Sequence, residues 1–158
     1  MADQMPPKLE GDERETLIAL LQYQRGSLVK KVNGVSEAGA RQSPLASGTS
    51  LLWLIKHMAR AESLWILQRF AGQNCDIEDD AVRPEDTVES AVAAYVATWR
   101  QVDSVVGACP TLDETCRNAG DDAPVNLRWV LMHLLEETAR HAGHADVLRE
   151  LLDGDTGR

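Results

Sequence analysis

The chain has 158 residues, 44% hydrophobic and 26% charged, with a formal net charge of −9. That length supports one sizeable core, a single domain over residues 1–158, and the acidic balance repels phosphate backbones, which argues against a nucleic-acid partner. No apolar run approaches the roughly 20 residues needed to cross a bilayer, so no membrane role is expected. The N-terminal stretch MADQMPPKLEGDE lacks the basic and apolar regions of a secretory signal. The three cysteines, Cys75, Cys109 and Cys116, are odd in number and irregular in spacing, as expected of reduced thiols in a cytoplasmic protein.

Helical periodicity runs through the whole chain. The first helix is expected over about 12–33, where Leu17, Leu20, Leu21, Leu28 and Val32 recur at helical intervals and Gln24 interrupts the stripe. Gly34, Gly39, Pro44 and Gly48 then punctuate a loop. A second helix, 49–70, opens at the hydroxyls of Ser47 to Ser50 and carries the seam Leu54, His57, Ala61, Leu64. After the acidic loop AGQNCDIEDDAVRP, the third helix (86–107) starts at Asp86 with Glu89 as capping-box partner. Its seam is Val88, Val92, Tyr95, Trp99, Val102 and Val106. The fourth, 126–153, ends where Gly154 can adopt a left-handed turn. These four segments predict an all-α four-helix bundle. Trp99 and Trp65 read as core or bundle-mouth residues. Trp53 and Trp129 fall off their seams, which predicts a homodimer built on helix faces.

The fourth helix carries the chemistry. Val130, Leu134, Glu137, His141, His144, Leu148 and Leu151 follow a 4-3-4-3-4-3 spacing, a core-facing seam with a carboxylate and two imidazoles at its centre. A buried, unpaired carboxylate costs several kcal/mol, so a compensating partner is expected. His57 is the one imidazole a facing helix can offer. A metal ion held by His57, Glu137 and His141 satisfies all three. A structural polar network, or a helix turned to show this face to water, are the competing readings. Two imidazoles and one carboxylate leave coordination positions open, as catalytic sites do. One divalent ion per chain is expected, zinc first, with nickel, iron(II) or cobalt also suited. A di-iron centre is disfavoured because residue 140 is Arg and Glu62 lies about 140° around its helix from His57.

The blocks SGTSLLWLIKHMARAESLW (Ser47 to Trp65) and LRWVLMHLLEETARHAGHADVLRELLDG (Leu127 to Gly154) resemble the DinB/YfiT-like superfamily of metal-binding four-helix bundles. More closely, they are similar to its actinobacterial branch of mycothiol transferases and the helical domain of mycothiol-dependent maleylpyruvate isomerase. Matched residue by residue, His57 fills the second-helix ligand position and His141 the final one, with Glu137 where the wider family has histidine. The wider family often continues with Arg-Gly-Gln, where this chain has Ala142-Gly143-His144. The sequence shows no counterpart of the isomerase's second domain, so isomerase activity is not expected. The resemblance implies a divalent-metal-dependent thiol S-transferase. An open metal position would bind and deprotonate a mycothiol-like small thiol, which then attacks a small electrophile. His144 is the candidate catalytic residue, accepting a proton or orienting the thiol, and His133 a partner behind the ligands. The alternative is a metal-binding helical stress or sensor protein without turnover.

Overall fold

The computed structural model describes residues 5–155; Met1 to Gln4, part of the stretch read against a secretory signal, and residues 156–158 lie outside them. Helix α1 spans Glu13–Val32, opened by a capping box in which Asp12 and Glu15 satisfy each other's backbone N–H. A five-residue helix, α2 (Glu37–Arg41), follows, capped by Ser36, in the stretch expected to be loop. Five residues are too few to show a helical period, and Gly39 with the flanking glycines outweighs them in the sequence pattern. Helix α3 (Leu51–Glu62) is capped by Ser50 and continues without a break as a π-helical segment, Ser63–Phe70. Helix α4 (Val88–Ala108) is capped by Thr87 paired with Ser90 rather than by Asp86 with Glu89. Asp86 is otherwise engaged, accepting from the Arg83 N–H and the Lys56 ammonium. Helix α5 (Leu127–Asp153) starts at Asn126 and stops at Gly154, whose φ of 73° suits a residue without Cβ. Among the described residues no strand occurs, nor is any helix long and apolar enough to cross a membrane.

The four long helices pack as a bundle, α1 chiefly along α5 and α3 along α4, with α3 also meeting α5. Two apolar clusters fill it. One gathers Leu28, Val32, Leu51, Leu54, Ile55, Met58, Ala145 and Leu148. The other gathers Leu21, Ile66, Phe70, Val102, Leu127, Val130 and Leu134. Between them in sequence register lies a buried polar layer that hydrophobic periodicity does not announce. The Arg25 guanidinium grips both oxygens of Glu62, with neither side chain exposed, while the Tyr95 hydroxyl donates to Glu62 Oε1 at 2.9 Å. Arg25 also reaches Asp103 at 2.8 Å and lies over the Trp99 ring. Burial pushes the Glu62 carboxyl above the ordinary glutamate range, with Arg25 and Tyr95 pulling it back.

The buried stripe of α5 departs from the seam read in the sequence. Val130, Leu134, His141 and Leu148 are buried, but the expected Glu137 is only partly so, and His144 and Leu151 are exposed. Thr138, Ala142 and Ala145 face the core instead. A strict seven-residue repeat lags a straight helix by about 20° per heptad. By Leu151, three heptads after Val130, the lag is about 60°, which turns His144 and Leu151 off the buried edge.

Candidate metal centre

Antiparallel packing of α3 against α5 brings His57 to the side of Glu137 and His141. Glu137 and His141 are one turn apart on the same helix, and Glu137 Oε1 lies 3.2 Å from His141 Nε2 and 3.6 Å from His57 Nε2. One ligand atom from each of the three residues falls within 4.8 Å of the others. Metal–ligand bonds near 2.0–2.2 Å put tetrahedral ligands about 3.3 Å apart, so the two carboxylate–imidazole separations suit a shared cation. The side chains are 21%, 18% and 10% exposed for His57, Glu137 and His141, so solvent and small molecules can reach the group. It therefore fits a divalent metal ion.

Hydrogen bonds behind the group fix which atoms face inward. His57 Nδ1 lies 2.8 Å from Asp80 Oδ2, so the carboxylate takes the Nδ1–H and leaves the Nε2 lone pair for a ligand. Burial raises the Asp80 carboxyl, but the His57 contact outweighs it and the net direction is downward. Arg140 occupies Glu137 Oε2 at 3.2 Å, so Oε1 is the oxygen presented to both imidazoles. Burial opposes ionisation of Glu137, yet His141, Arg140 and His57 together hold it below the ordinary glutamate value. Burial, reinforced by His57, depresses His141, which keeps its ring neutral as a ligand must be. Trp53 stacks on His57, with centroids 4.6 Å apart and planes 16° off parallel, and meets the His141 ring edge-on.

The remaining expectations fare differently. His144 adjoins the group, its Nδ1 3.3 Å from His141 Nδ1. His133 does not: it stacks on Trp129 and meets the edge of Trp65, one turn before Glu137, and is not a partner of the ligands. Trp53 covers His57 instead of projecting from an outer helix face, because α3 presents residues 53 and 57 on one edge. Asp80 joins the site unannounced by the sequence. Its acidic run reads as a solvated loop, and only the fold brings it back over α3. Replacing Asp80 with asparagine removes the ionised acceptor and is expected to weaken metal affinity about 10–100-fold. A competition titration against a chelator checks this, and unchanged affinity would mean His57 is oriented by packing alone.

Fold and site together define the class: a DinB-like helical bundle with a histidine–carboxylate group suited to a metal between two of its helices. The chain belongs to the mycothiol-S-transferase family, which it matches over residues 16–154. A crystal structure titled "conserved protein of locus" from Enterococcus faecalis shares the fold, with a TM-score of 0.68 at 18% identity. That match covers 92% of this chain and 99% of the other. No curated protein matches the chain.

Proposed function

We propose that the protein is a divalent-metal-dependent thiol S-transferase that joins a small thiol of the mycothiol type to an electrophilic carbon. The observation that supports this best is the group of His57, Glu137 and His141, drawn from two helices and still reached by solvent. In this reading the two Nε2 atoms and Glu137 Oε1 would hold the cation. The ion would supply Lewis acidity that lowers the pKa of a thiol at an open position. The chain's own residues do the rest. Asp80 and Arg140 hold two of the ligands in register, and Trp53 covers one face of His57 against water. When His141 ligates through Nε2, its Nδ1–H donates to His144 Nδ1. The second nitrogen of the exposed His144 ring then carries a hydrogen that can orient an incoming sulfur, while the thiol proton leaves to water.

The test is thiol consumption by metal-free and metal-loaded protein, using mycothiol and simpler thiols with a model electrophile. Metal loading is expected to switch the rate on. His144→Ala should keep the metal and slow turnover at least about tenfold, as loss of a group that acts on the reacting atoms would. Equal rates with and without metal for every thiol would overturn the reading.

A further inference from the structure

One to two turns along α5 before Glu137 stands an aromatic cluster that the proposed chemistry leaves unused. Trp129 and His133 stack at 5.0 Å, and Trp65 meets both, 5.3 Å from Trp129 and 4.8 Å from His133. Trp65 comes from the π-helical segment, a rare conformation that recurs at functional sites. Arg69, one turn further on, lies over the Trp65 ring at 4.4 Å and pairs with Asp122 across the loop before α5. The two indoles, Arg69, Cys116, Asp122 and Val125 enclose a cavity of about 430 Å³. Small-ligand sites run to about 300–1,000 Å³ with apolar walls and few polar groups. Here Arg69 and Asp122 pair with each other, and two indole rings line the cavity. Trp129 is 45% exposed, held by ring contacts rather than burial. Burial raises the Cys116 thiol, so the cavity holds no ready nucleophile of its own.

Trp129, His133, Glu137 and His141 succeed one another at i,i+4 intervals, a row that winds from the cavity to the candidate metal group. We infer that the Trp65–Trp129 cavity is a binding site for a flat, uncharged aromatic ligand. Trp129 stands about 12 Å along α5 from Glu137, eight residues at about 1.5 Å each, so the cavity is a site apart from the candidate metal group. Indole rings bind such ligands by offset or edge contacts.

A ligand titration tests this. The four indole N–H signals of protein labelled at tryptophan, assigned by single Trp→Phe variants, are followed during titration with 2-naphthol. The Trp65 and Trp129 signals are expected to shift in a saturable way while Trp99, packed on Tyr95 in the bundle, stays still. No shift at either, or a shift confined to Trp53, overturns the site. A Trp129 signal that follows protein concentration instead of ligand assigns the surface to a second copy and also overturns it.

Discussion

Replacing His57 with alanine is expected to abolish stoichiometric binding of a divalent metal, while His133→Ala keeps it. His57 is the ligand that α3 contributes to the group, so its loss leaves two side chains of one helix, an imidazole and a carboxylate. Loss of a partner behind a ligand costs about 10–100-fold in affinity, so loss of the ligand itself should exceed the upper figure. Elemental analysis after dialysis reads the result directly, and equal metal in wild type and His57→Ala would falsify the site. The same titration has a pH signature. His141 is depressed below the usual histidine value near 6.5. Proton competition at that ligand therefore sets in only as the pH falls below 6.5, and affinity declines from there. In the metal-free protein the sign is the same for stability. Between the two values the unfolded chain binds a proton that the folded chain does not, so stability falls as pH drops through that window.

The second large effect concerns the polar layer. Arg25→Met is expected to cost about 3–5 kcal/mol, because it strands a fully buried carboxylate whose other named partner is the Tyr95 hydroxyl. At this chain length that is a fall in Tm on the order of 10 °C. The double variant Arg25→Met, Glu62→Leu removes both charges and should recover much of the loss, since apolar residues of similar volume commonly replace a buried pair without penalty. Calorimetry on the wild type, single and double variants checks this. A double variant no more stable than the single one would mean the pair fixes the helices in register, beyond satisfying its own charges.

The sequence is informative where a residue type breaks a strong pattern. His57 interrupts an apolar stripe, and Glu137 and His141 interrupt another at helical spacing, so their meeting between two helices is the reading the pattern favours over a helix turned to water. The exposure of His144 and Leu151 is not legible there, because a heptad count cannot say whether α5 supercoils or runs straight. Arg25 and Glu62 are hidden for a different reason. Each looks like an ordinary charge on an amphipathic helix, and only the packing of α1 against α3 buries both. Tyr95 fits its seam by hydrophobicity, which conceals the hydroxyl that makes it a partner of Glu62. Asp80 and the Trp65–Trp129 cavity depend on loops whose course no local pattern specifies.

The segment between the π-helical turns and α4 has no regular structure, and it is fastened to α3 by side chains. Asp80 takes His57 Nδ1, and the Lys56 ammonium reaches the Ala81 carbonyl at 2.6 Å and Asp86. One of those fastenings is made to a candidate ligand, so the strap and the cation share a residue. Thermodynamic reciprocity then holds between them: whatever free energy a bound cation adds to the Asp80–His57 contact, a closed strap returns to the cation. If a cation strengthens that contact, the strap reports occupancy, its amide protons exchanging more slowly as the site fills.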